Sequence, residues 1–185
     1  RVLFRSMVKS ENWQKQLADK GCPVYYFYSS ERYLVRQAVT AITRILTADS
    51  DEDATVLDGA APEIEQLIMA AGTISFFGTR RVVVLPEIDP AAYSDKDLEE
   101  LNSTLSSLEN AVVVLGSVFE LERNKLKTGK RAQKLIAQCK ALGYTEELAK
   151  PKPFELKMMM IDRAKEQKTT LPDGAAAALL ERCGE

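Results

Sequence analysis

The chain has 185 residues, 45% hydrophobic and 28% charged, with a formal net charge of −2, the balance of a globular protein of one domain or one and a fraction. It contains no histidine, which removes the commonest general base, the usual Ser–His and Cys–His pairs and most zinc sites, so neither a metal nor a cofactor is expected. Three dispersed cysteines (Cys22, Cys139, Cys183) read as reduced structural thiols, and no apolar run approaches the ~20 residues of a membrane span.

No secretory leader is visible in "RVLFRSMVKS", so the expected location is cytoplasmic and away from membranes; Arg1 to Ser6, ahead of Met7, are set outside the fold. The first β-rich run is "VYYFY" at 24–28, followed by "SERYLVRQAVTAITRILT", where Ser30 is a plausible N-cap and Leu34, Ala38, Ala41 and Ile45 form an apolar stripe. "ATVLD" at 54–58 predicts a second strand. Pro62 then marks a helix start, with Ile64, Leu67, Ile68 and Ala71 at helical spacing. "RVVVL" at 81–85 and "AVVVL" at 111–115 are continuous apolar runs, as expected for strands buried on both faces of a parallel sheet. Between them Ser94 is a candidate cap for a helix with Leu98, Leu101, Leu105 and Leu108 as its stripe.

A basic helix carrying Leu135, Ile136 and Cys139 follows and ends near Gly143, and "YTEEL" at 144–148 predicts a fifth strand. Strands alternating with helices of this length imply a three-layer α/β domain with a parallel sheet, set at residues 7–149. "KPKP" at 150–153 breaks the pattern. Beyond it lie one helix and the start of another at Pro172, too few residues for a core of their own. Residues 150–185 are expected to begin a second, helical unit of a longer chain.

A strand followed directly by a helix is where nucleotide-binding folds place the glycines that let backbone N–H groups close on phosphate. Here the connection reads "YSSERYL", without glycine or lysine, and Glu31 is expected in the first helical turn, where it would repel an anion. "KTGKRAQK" at 127–134 fails the same pattern, because Arg131 stands where Ser or Thr is required and Asn124 where the first glycine belongs. Glu87 and Asp89, after the third strand, read as loop-exposed acids. The scaffold is that of a P-loop-like fold with no nucleotide-binding residues, and an active ATPase is the alternative it argues against.

Charge is segregated along the chain. From Ile45 to Thr79 there are seven acids and no Lys or Arg, whereas Leu121 to Leu142 carries Arg123, Lys125, Lys127, Lys130, Arg131, Lys134 and Lys140 against Glu122 alone. Such a segment is either a solvated helix face or a local contact for nucleic acid, the second giving a nucleic-acid-binding module as a further alternative.

"VYYFYSSERYLVRQAV", "LDG", "SFFGTRRVVVLPE", "AVVVLG", a Lys-rich helix and "KPFELKMMMIDRAKEQKTTLPDGAAAALLERCG" occur in the order and spacing of the bacterial DNA polymerase III delta subunit, which the chain resembles from about Val24 to Glu185. The resemblance implies an AAA+ domain that has lost its Walker A loop, then a helical lid and a collar, the collar lying outside this sequence. It implies a non-catalytic clamp-loader subunit that binds and opens the sliding clamp (beta subunit) in DNA replication, with delta-prime and tau/gamma as neighbours and DNA met only within the assembled loader. By the same resemblance Phe76 and Phe77, led by Thr73, Ile74 and Ser75, occupy the clamp-inserting position. The family often has Leu-Phe there, and at Ser29 a glycine-acid pair is more usual. Arg123, Lys125, Lys127, Lys130, Arg131 and Lys134 are the candidate DNA contacts.

The adjacent rings suit such a role on physical grounds. The preceding helix already has a core stripe, and neighbouring side chains on a helix point about 100° apart, so one small core would struggle to take both. Either the pair is a surface wedge, or at least one ring caps the domain's own core. Aromatic anchors bury much area at small entropic cost, which favours the wedge at an interface.

Overall fold

The computed structural model describes residues 22–48, 50, 52–72, 80–123 and 125–183. Five parallel strands form the sheet: β1 (Val24–Ser29), β2 (Thr55–Val56), β3 (Arg81–Leu85), β4 (Ala111–Val118) and β7 (Tyr144–Glu147), in the order β2-β3-β4-β1-β7. The helices between them are α1 (Arg32–Leu46), α2 (Ile64–Gly72), α3 (Asp95–Ser106) and α4 (Lys130–Leu142). A two-stranded antiparallel hairpin, β5 (Leu121–Glu122) and β6 (Lys125–Leu126), stands between β4 and α4. Two further helices, α5 (Pro153–Glu166) and α6 (Asp173–Cys183), follow β7.

The three layers follow from the twofold side-chain alternation of the strands. Tyr25, Phe27, Val82, Val84, Val112 and Val114 point to one face, where they pack on Leu34, Val35, Ala38, Val39 and Ile42 of α1. Val24, Tyr26, Val83, Leu85, Val113 and Leu115 point to the other. There they meet Ile64 and Leu67 of α2, Leu98, Leu101 and Leu105 of α3, and Leu135 and Cys139 of α4. Since both faces are covered, the middle strands carry unbroken apolar runs, as "VVVL" indicated, with the buried Ser29 and Ser117 near their C-terminal ends. The predicted α/β architecture with its parallel sheet is therefore present.

Several details differ from the sequence expectations. The N-cap of α1 is Glu31 rather than Ser30. Glu31 makes no side-chain cap bond, and no acid lies in the first helical turn. The buried stripe of α1 widens to Val35, Val39 and Ile42, while Ile45 is 46% exposed because the helix has run past the sheet there. On α2, Ile64 and Leu67 are buried but Ile68 is 46% exposed. Helix α3 starts at Ser94 as expected, with the Ser94 hydroxyl accepting from the Asp97 N–H, but it ends before Leu108. The second strand shrinks to an edge pair, tied down by Leu57 N–H donating to the Val84 carbonyl and by Glu52 facing Arg81 at 3.1 Å.

Two close approaches fix strands to their surroundings. A Cβ on Gly116 of β4 would lie 2.2 Å from the Pro86 carbonyl oxygen and 2.8 Å from Val35, so the loop after β3 and helix α1 both crowd this position. A Cβ on Gly143 would lie 2.1 Å from the Val24 carbonyl oxygen, where the end of α4 crosses the start of β1. In both places backbone is the neighbour, and only glycine fits.

Helix α5 begins with Pro153 in its first turn and the Glu155 carboxylate accepting from the Lys152 N–H. It leans on the α1 side through Met159 and Leu156. Helix α6 packs on α5 and buries only Ala176.

Candidate functional site

Three regions bear on function. The first is the connection between β1 and α1, where a P-loop would sit. Ser29 is fully buried; its hydroxyl donates to the Leu148 carbonyl at 2.6 Å and accepts from the Glu31 N–H at 3.1 Å. The Leu34 and Val35 N–H groups both donate to the Glu31 carbonyl. The connection is thus a short turn in which the Ser29 hydroxyl and the Glu31 backbone N–H and carbonyl bond to the protein itself. Alongside it, Glu87 is partly buried and faces Arg32 at 2.6 Å and Arg36 at 3.7 Å. Glu87 is therefore an ion-pair acceptor joining the end of β3 to α1, not the loop-exposed acid expected. Asp89 is exposed and caps its own turn by accepting from the Ala91 N–H.

Behind this edge runs a buried polar chain. The Tyr26 hydroxyl donates to Ser117 Oγ at 2.9 Å, and the Ser117 hydroxyl donates to the Ile88 carbonyl at 2.8 Å. Burial drives the Tyr26 phenol well above its ordinary range, so it stays protonated and serves as a structural donor. Cys139 is pushed up to about 12 by the same cause, which makes it an inert packing thiol.

The second region is the approach to β3. Helix α2 ends at Gly72 and β3 begins at Arg81. The helix buries Ile64 and Leu67 against the sheet and turns Ile68 and Met69 outward, at 46% and 74% exposure. After the exposed polar pair Glu65 and Gln66, the helix thus presents these two apolar side chains just before the sequence that carries the candidate clamp contacts. Thr73, Ile74, Ser75, Phe76 and Phe77 themselves lie outside the described residues.

The third region is the basic segment, whose candidate residues the structure does not treat alike. Arg131 is diverted: its Nε donates to Asp95 Oδ1 at 2.8 Å and its Nη1 to the Ala91 carbonyl at 3.1 Å, pinning α4 to the start of α3. That bond and the adjoining charge hold the Asp95 carboxyl below its ordinary value and raise Arg131. Lys127 stands 3.9 Å from Glu120. Arg123 and Lys125 lie on the hairpin, Lys130 and Lys134 on α4, and all four are exposed. Lys140, outside the candidate set, lines a groove with Lys125. No sequence signal could pair those two, because the hairpin that brings them together consists of two-residue strands with no readable period.

The all-parallel sheet ordered β2-β3-β4-β1-β7, with helices on both faces and further helices after the last strand, is the AAA+-like α/β class. Domain III of the Thermotoga maritima replication initiation protein DnaA shares this fold at a TM-score of 0.57. It is 13% identical, with 91% of this chain and 72% of that one covered. A Bacillus subtilis DNA clamp loader delta protein matches at a TM-score of 0.59 and 23% identity, over 96% of this chain and 51% of that one. In sequence, the DNA polymerase III subunit delta of Bacillus subtilis strain 168 is 26% identical over 147 residues, 72% of this chain and 42% of that protein.

The profile of the DNA polymerase III delta subunit matches residues 25–143, and the chain belongs to that family. It spans about half the length, or less, of the Bacillus subtilis proteins it matches.

Proposed function

We propose that this chain is the N-terminal part of a non-catalytic clamp-loader delta subunit, which binds the sliding clamp (beta subunit) through Phe76 and Phe77 and loosens one of its interfaces during DNA replication. Thr73, Ile74 and Ser75 lead the pair in. Residues 7–149 form the AAA+-like domain and residues 150–185 begin the helical lid. The other loader subunits, delta-prime and tau/gamma, are its neighbours, the cytoplasm is its location, and DNA is met in the assembled loader.

The observation that carries this reading is the family membership taken together with the placement of the pair. The profile match spans the whole stretch from β1 to the end of α4, and the Phe76–Phe77 step falls between the end of α2 and the start of β3. The exposed apolar pair Ile68 and Met69 of α2 supports a contact at that end of the molecule. The short Ser29–Glu31 turn, in which the Ser29 hydroxyl and the Glu31 N–H bond to the protein, supports a role in contact rather than in nucleotide turnover.

The test is the affinity of this chain for its cognate clamp by surface plasmon resonance, repeated with Phe76→Ala/Phe77→Ala. Truncating a buried aromatic anchor costs about 2 kcal/mol or more, which is about 30-fold, so the double variant is expected to bind at least about 30-fold more weakly. Undiminished affinity would sink the assignment of these two residues.

A further inference from the structure

We infer that the groove between the β5–β6 hairpin and α4 is a binding site for single-stranded nucleic acid, with Lys125 and Lys140 as phosphate contacts and the Tyr28 ring as a base platform. The groove has a volume of about 570 Å³. It is lined by Gln133, Ile136 and Lys140 of α4, by Lys125 and Leu126 of the hairpin, and by Tyr28 and Glu147 at the ends of β1 and β7.

The charge pattern supports a polyanion. Among the described residues, Arg123, Lys125, Lys130, Lys134 and Lys140 form no ion pair, whereas Lys127 and Arg131 face Glu120 and Asp95. Among the described residues, Glu147 is the single carboxylate lining the groove. Cations that are solvated and free of internal partners can exchange their counterions for phosphates, the main source of affinity for nucleic acid.

The lining supports bases as well as phosphates. Tyr28 is only partly buried, and its ring packs against Phe119, edge-on with centroids 5.9 Å apart, and against Tyr26, tilted with centroids 5.5 Å apart. A packed aromatic beside lysines is the arrangement on which unpaired bases stack. Leu126 and Ile136 add apolar surface next to it. From Gln133 to Lys140 the lining runs about 10 Å along α4, enough for about three nucleotides at the 3.4 Å rise of a stacked strand. A duplex would offer Tyr28 no free base. The site lies on the hairpin side of α4 and does not depend on the clamp contact.

Fluorescence anisotropy with labelled oligo-dT and this chain, across a salt series from about 25 to about 200 mM, tests the inference. Binding is expected to weaken as salt rises, and Lys125→Ala/Lys140→Ala is expected to reduce the log–log salt slope by about 1.4. Tyr28→Leu is expected to weaken binding by about 5- to 150-fold, the range for loss of one stacked base. Arg131→Ala, which removes a cation already paired to Asp95, is expected to leave the slope unchanged.

No measurable binding at the lowest salt would overturn the inference, as would an unaltered slope in the double lysine variant. An equal loss of slope in Arg131→Ala would overturn the groove assignment. Competition by polyglutamate as effective as that by unlabelled oligo-dT at equal charge would show an acidic-protein surface instead. The lysines are exposed, so the double variant folds; retained helical circular dichroism checks it.

Discussion

Replacing Gly116 with alanine tests whether the loop after β3 is wedged as tightly against β4 as the structure indicates. The new methyl would sit 2.2 Å from the Pro86 carbonyl oxygen and 2.8 Å from Val35 Cγ1. Ordinary carbon–oxygen contact needs about 1 Å more, and the obstacle is backbone, which cannot rotate away as a side-chain tip would. Overpacking of this kind costs about 1–3 kcal/mol. The required shift also pulls on the bond from the Ile88 N–H to the Gly116 carbonyl, now 2.8 Å long, whose loss adds about 1 kcal/mol. The expected destabilisation is therefore about 2–4 kcal/mol. For a chain of this length each kcal/mol moves the melting temperature by about 2–4 °C. Thermal melts followed by circular dichroism should fall by about 4–16 °C, with the urea midpoint falling in parallel and the m-value unchanged. A melting temperature within about 2 °C of the parent would refute the reasoning, since it would mean that the Pro86 carbonyl yields freely.

Gly143→Ala meets the Val24 carbonyl at 2.1 Å and should cost a similar amount, read from the same melts; an unchanged midpoint would show that the end of α4 can slide along β1. Ser29→Ala removes a buried hydroxyl and leaves the Leu148 carbonyl without its partner, so about 1–3 kcal/mol should be lost in urea titration. Cys139 has its folded-state pKa raised from 9.0 to about 12, so its contribution is complete below about pH 9 and lost as the pH climbs toward about 12. Urea midpoints should accordingly fall between about pH 9 and about pH 11, and more shallowly in Cys139→Ala than in the parent; parallel declines would show that the thiol is not the group responsible.

What could be read in advance depended on the range of the interactions involved. Strands β1, β3 and β4 were legible because two covered faces demand unbroken apolar runs, and "VVVL" has few other uses, whereas the predicted second strand shrank to an edge pair. The Ser94 cap was legible because capping is local, one side chain meeting an N–H three residues on. The α1 stripe was right at Leu34 and Ala38 but misjudged in its width and at its C-terminal end. A helix lying across several strands buries a wide band, which brings in Val35, Val39 and Ile42 and releases Ile45 where the sheet stops. The hairpin was invisible, because two-residue strands carry no periodicity. The candidate basic residues were legible as charge but not as a site. Arg131 is taken out of reach by Asp95, 36 residues away, and Lys140 is brought in by the fold, and neither fact has a local signature. The clamp-contact pair was read from a family likeness and an argument about core capacity, and it falls outside the described residues.

The strand order has a consequence for the making of the protein. β1 is the earliest strand among the described residues, yet it lies between β4 and β7, so its hydrogen-bonding partners arrive only with residues 111–118 and 144–147. At about 5–20 residues per second, translation from Ser29 to Val118 takes about 4–18 s. For that interval Tyr25, Tyr26 and Phe27, all buried in the finished fold, have no parallel neighbour on either side. The nascent chain therefore carries an apolar, strand-forming segment without its partners throughout that interval, which is when holdase chaperones would protect it most.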